Sequence, residues 1–138
     1  MTGILESTQY AMDAALYQFG QDNSIDIALE GQGYEPDAAT PYLSGHYLPA
    51  PTEQADLYWT ERRRAIYQVD VSYPQLAGTA DLNATCDAVN ASFKAGSTFT
   101  NGNIGVEVTS VDFGPLITQN GWATRPVSIN IEAYTWRL

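Results

Sequence analysis

The side chains able to do chemistry are few and scattered. There is one histidine, His46, inside the stretch Gly45-His46-Tyr47, and one cysteine, Cys86. A zinc site needs three or four His, Cys or carboxylate ligands together, so a lone histidine is a poor metal ligand. Cys86 falls on the apolar stripe Leu82, Cys86, Val89 and Phe93 of a helical pattern, which reads as an inert core thiol. A Ser-His-Asp or Cys-His arrangement is spatial and not sequential, yet no local signature marks one. There is no G-x-S-x-G, no phosphate-cradling loop and no paired-cysteine motif. Gly31 and Gly33 are followed by Pro36 and not by a helix, so they do not make a dinucleotide loop. The reading is a protein without catalysis, metal or cofactor. An enzyme or small-molecule-binding domain, which would need a pocket of convergent polar groups, is the distant alternative.

Two features point instead to contact chemistry. Arg62, Arg63 and Arg64 hold half of the six basic residues. They stand where a long connection, 49–64, enters a strand. Alternation puts Arg62 and Arg64 on that strand's polar face and Arg63 on its apolar face. Such a run either guards a strand edge against unwanted pairing or meets acids of a neighbouring subunit or passing nucleic acid. The connection also carries Tyr58, Trp59 and Glu61, and aromatics beside arginine are the composition of an interface anchor. Connections this long inside a compact domain usually have a task, although a packed Ω-loop is the simpler account.

Charge is segregated along the chain. Residues 1–61 hold ten acids and no Lys or Arg, whereas 62–138 hold six acids and six bases, so the whole net charge of −10 belongs to the first part. A surface of this sign repels a DNA backbone. It serves solubility, or it meets a basic surface on another copy.

The elements that must position these residues read as an α+β fold, with a four- to five-stranded antiparallel or mixed sheet and two helices on one face. The 138 residues make one domain by size. A helix spans 3–19 with Gly20 as its stop, and a short strand covers 25–29. An extended segment, 41–48, ends at Pro49-Ala50-Pro51. The clearest strand is 65–73, with Ala65, Tyr67, Val69, Val71 and Tyr73 on one face. A second helix fits 80–94, with Thr79 as N-cap. Ile104, Val106 and Val108 alternate, and then the parity slips to Val111 and Phe113, which predicts a bulge near Thr109 or Ser110. A last strand covers 124–136. No apolar run approaches the ~20 residues of a membrane helix, and MTGILESTQY lacks a signal peptide's basic start and apolar core. The expectation is a soluble protein made in a cytoplasm.

PYLSGHYLPAPTEQADLYW, RRRAIYQVDVSYP, LNATCDAVNASF and GWATRPVSINIEAY together resemble the phage tail terminator family, the group similar to the lambda-type minor tail protein U. The resemblance implies a virion protein of long non-contractile tails. It would form a hexameric ring on the last ring of tail tube protein, stop tube growth and join the head–tail connector. DNA would cross the lumen, with no membrane, cofactor or catalysis involved. Tyr58, Trp59, Glu61, Arg62, Arg63 and Arg64 would then lie in a subunit, tube or lumen contact. The nearest alternative is another phage part, a connector, stopper or tail-tube subunit. A tube subunit is expected to carry a long β-hairpin, against which the proline-broken segment 49–61 argues.

Overall fold

Strict alternation of apolar and polar residues from Ala65 to Tyr73 makes a half-buried strand, and this strand sits near the centre of the fold. A computed structural model describes residues 4–31, 40–54, 61–102 and 104–135. In chain order these form α1 (Ile4–Asn23), β1 (Asp26–Leu29), β2 (Tyr42–Gln54), β3 (Glu61–Pro74), a 3-10 turn (Gln75–Ala77), α2 (Ala80–Ser92), β4 (Thr98–Asn101), β5 (Ile104–Phe113), β6 (Ile117–Gln119) and β7 (Trp122–Thr135). The sheet order is β1-β2-β3-β7-β5-β4, with β6 paired to β7. Only β1–β2 is parallel, so the sheet is mixed and the α+β expectation holds. Among the described residues it has seven strands, more than the four or five expected. The additional ones, β4 and β6, are four and three residues long, too short to show a period.

Both helices pack on one face, and the sheet curls so that α1 reaches strands near both of its edges. Met12, Leu16 and Phe19 of α1 and Leu82, Cys86 and Val89 of α2 are buried against Tyr67, Val69, Val71, Val127, Ile129 and Ile131 on the concave side. Each such side chain contributes ~1.5–3 kcal/mol relative to exposure. The convex side carries Gln68, Asp70, Ser128 and Asn130, all only partly buried.

Three local expectations need correction. Gly20 does not stop α1. The helix runs on to Asn23, whose Nδ2 donates to the Phe19 carbonyl at 2.9 Å, and the chain leaves through Ser24 at φ 54°. Gly20 is small for packing, since a Cβ there would collide with the Ile27 side chain. Thr79 does precede α2, but it makes no side-chain capping bond.

The largest correction concerns Pro49 and Pro51, which do not end β2. The strand passes through them to Gln54, with one extra residue accommodated between Pro49 and Thr52. Prolines are tolerated here because β1 covers β2 only as far as Gly45. Among the described residues β2 is a sheet edge beyond that point, where a missing N–H costs no ladder bond. The connection 49–64 is therefore largely two arms of a β-hairpin, Gln54 pairing with Glu61. The bulge predicted near Thr109 lies between Val108 and Ser110.

Candidate functional site

The arginine run lies at the hairpin end of β3, and the register fixes what each residue faces. Glu61 stands between Gln54 and Thr135, Arg62 between Glu53 and Tyr134, Arg63 between Thr52 and Ala133, and Arg64 opposite Glu132. Alternation sends Arg64 to the convex face, where its Nε lies 3.4 Å from Glu132 Oε1 with 57% of the side chain exposed. Glu132 also accepts from the Tyr134 hydroxyl at 2.8 Å. Arg63 turns to the concave side and is half-buried. Its charge acts on the Tyr47 phenol, whose pKa is nevertheless raised because burial outweighs it. The sheet thus places acids of the same chain opposite two of the three arginines, Glu53 by register and Glu132 by contact. Tyr58 and Trp59 lie outside the described residues.

Alternation along β7 puts Glu132 on the polar face, but its pairing with Arg64 depends on the β3–β7 register, which no local pattern reveals. The β2–β3 register brings Leu48 opposite Ile66. The two form an exposed apolar pair on an otherwise polar face, 47% and 37% accessible.

The histidine sits on this convex face too. His46 Nε2 lies 3.4 Å from Asp70 Oδ2 and 3.3 Å from Ser44 Oγ, and Gln68 Nε2 donates to Asp70 Oδ1 at 2.9 Å. The residue types are those of a hydrolytic triad, but the geometry differs. A triad holds the carboxylate on one ring nitrogen and the nucleophile on the other, whereas here both partners approach Nε2. The group is a polar cross-strand cluster on an open surface. Among the described residues, no three of His, Cys, Asp and Glu gather as metal ligands. Cys86 is buried in the core and its thiol is pushed up to about 11, chiefly by burial, with Arg125 acting in the opposite sense. That is the behaviour of a structural thiol.

The remaining titratable cluster is structural as well. The Tyr67 hydroxyl donates to Asp13 Oδ1 at 2.5 Å. Burial raises the Asp13 carboxyl, the Tyr67 bond lowers it, and nearby Glu30 raises it further. Glu30 in turn accepts from the backbone N–H of Tyr47, on β2 just beyond the end of β1.

A family model described as phage tail terminator protein matches residues 8–131. One solved structure superposes with a TM-score of 0.72 at 22% identity, covering 94% of this chain and 98% of that one. A chain from the virion of a native gene transfer agent particle superposes at 0.58 with 15% identity, covering 98% of both. At these identities the two structures show a shared fold. No curated protein matches.

Proposed function

We infer the function from one premise: the chain belongs to the phage tail terminator family, and it is a structural protein of the phage tail and virion. Within that class it acts as the terminator itself. It assembles as a ring, six copies by the family resemblance, on the last ring of tail tube protein. There it stops growth and offers the head–tail connector a surface, with DNA passing through the lumen. The observation that carries this reading is the family match over residues 8–131. The ring contact includes Tyr58, Trp59, Glu61 and some of Arg62, Arg63 and Arg64, meeting acids from residues 1–61 of the adjacent copy. Exposed pairs of this kind contribute only ~0.2–1 kcal/mol each and mainly set orientation. Arg64 has exposed surface for such a contact. The acids of residues 1–61 would also give a lumen wall along which DNA slides without sticking.

A tube-subunit role is a second reading with its own support. The β2–β3 hairpin that the prolines argued against is present, running to Gln54 and back from Glu61. Labelling the chain in intact particles and imaging them by cryo-electron microscopy separates the two. A single ring of label at the head-proximal end of the tail supports the terminator. Label repeating along the whole tail overturns it in favour of the tube, and a lumen lined mainly by Arg and Lys would overturn the charge argument.

A further inference from the structure

Among the described residues β5 keeps an open edge beside a helix, and we propose that this slot, between β5 and α2, binds the C-terminal end of a partner chain. The partner's last residues add as a strand along Thr109 to Phe113, and its terminal carboxylate pairs with Arg125. The proposal goes beyond the ring reading above and does not depend on it.

β4 covers β5 only as far as Glu107. One residue further, Val108 gives its N–H to the Ser97 carbonyl at 2.9 Å and accepts from the Gly96 N–H at 2.8 Å. Beyond it, among the described residues, no strand lies on the outer side of β5. The register to β7 is regular from Ser110 to Phe113, and Gly114 gives its N–H to the Pro126 carbonyl at 2.8 Å. The alternation of an antiparallel ladder therefore turns the backbone N–H and C=O of Val111 and Phe113 outward. Such groups are a template for one more strand, because an extended backbone matches their spacing. The other open edge, β2 beyond Gly45, holds Pro49 and Pro51, which have no N–H to offer.

The side chains around the slot select a chain end as the occupant. Asn83 and Asp87, one turn apart on α2, face Phe113 and Arg125 across a groove of about 360 Å³. Arg125 stands opposite Val71, on the helix-bearing side of the sheet. It reaches the end of β5, where its Nη1 donates to the Gly114 carbonyl at 2.8 Å. Its Nε has no partner, and no carboxylate of the described residues is in ion-pair contact with it. A guanidinium with donors to spare takes a carboxylate in a two-point contact. The slot is also bounded. Ser97 closes it at one end and the corner at Gly114 closes it at the other, so it runs only from Thr109 to Phe113, ~17 Å. A strand that stops at the corner brings its terminal carboxylate to Arg125 and its last side chain to the ring of Phe113, which is 47% exposed.

The test titrates the isotope-labelled full chain, followed by NMR, with the peptide acetyl-Thr-Val-Thr-Val-Leu bearing a free carboxylate, and with the same peptide as its C-terminal amide, up to millimolar concentration. The expected result is saturable shifts of the Val111 and Phe113 amides and of the Arg125 side chain, the free acid binding about tenfold or more tighter than the amide. Arg125→Gln should remove that difference and leave the binding of the amide in place. Val111→Pro, which takes away an outward donor, should weaken both peptides. Shifts confined to other parts of the sheet, equal binding of acid and amide, or no shift with either peptide overturns the proposal. Unchanged affinity in Val111→Pro overturns the strand addition. Should that variant fail to fold, Asp87→Asn gives an independent reading, because removing the like charge beside the carboxylate should tighten the free acid and not the amide. Shifts of the same amides on concentrating the chain alone would assign the slot to a second copy and overturn the proposal as well.

Discussion

Tyr67 on β3 reaches past β2 to Asp13 on α1, joining hydroxyl and carboxylate at 2.5 Å across 54 residues of sequence. Gly45 makes the path. It lies on β2 diagonally from Tyr67, and a Cβ at this position would run into the Tyr67 hydroxyl and lie 2.9 Å from Leu16 Cδ2. The bond therefore depends on a residue that belongs to neither partner.

Gly45→Ala is expected to destabilise the chain by ~1–3 kcal/mol through overpacking. Tyr67→Phe should cost a similar ~1–3 kcal/mol, because Asp13 is left half-buried without its donor. The two losses should not add. Removing the hydroxyl relieves the shortest of the new methyl's contacts, so the double variant loses less than the sum. Urea denaturation of the four proteins measures this coupling.

Asp13 gives a signed pH dependence. Burial holds its folded-state pKa above the ordinary value of 3.8, so between the two values the folded chain binds more protons than the unfolded one. Stability from this group is therefore lost as pH rises through that window. Asp13→Asn keeps an acceptor for Tyr67 and removes the titration. The variant is expected to gain stability relative to the parent as pH rises from below 4 to neutrality. Thermal melts of both proteins across that range check it, and a parallel shift of the two curves would contradict it.

Cys86 should be chemically silent while the chain is folded. With the thiol pushed up to about 11, only about a thousandth is thiolate at pH 8, and the side chain is 2% exposed. A thiol reagent is expected to label one group per chain promptly in denaturant and none on the same timescale in buffer.

The Arg64–Glu132 pair should matter little to the monomer. Its geometry is long and the arginine more than half exposed, so a double-mutant cycle with Arg64→Ala and Glu132→Ala should return a coupling of ~1 kcal/mol or less, shrinking with salt. A large, salt-insensitive coupling would show the pair to be more buried than its surface position implies.

How much of this was readable in advance depended on the range of the forces involved. The β3 faces, the α2 stripe ending at Phe93 and the Thr109 bulge follow from local periodicity. Pro49 and Pro51 misled because their cost depends on whether a neighbour pairs there, and β1 stops at Gly45. Gly20 misled because its reason is the approach of Ile27. β6 was hidden in Ile117-Thr118-Gln119, three exposed residues. The turn that closes them onto β7, Asn120 at φ 53° and Gly121 at φ 84°, is nonetheless an Asn-Gly hairpin signal. At the candidate site, the arginine run was visible from composition, but Glu53 and Glu132 as its neighbours required the sheet register. The Leu48–Ile66 pair is visible only when β2 is laid beside β3.

The claim that this chain terminates tails is tested most directly by the length distribution of tails made without it. Disrupting its coding sequence in the phage that carries it and measuring tails by electron microscopy should give tubes of uncontrolled length, many beyond the normal value, restored to one length by the intact chain supplied in trans. Tails of normal length with detached heads would contradict the account and assign the chain to the connector instead.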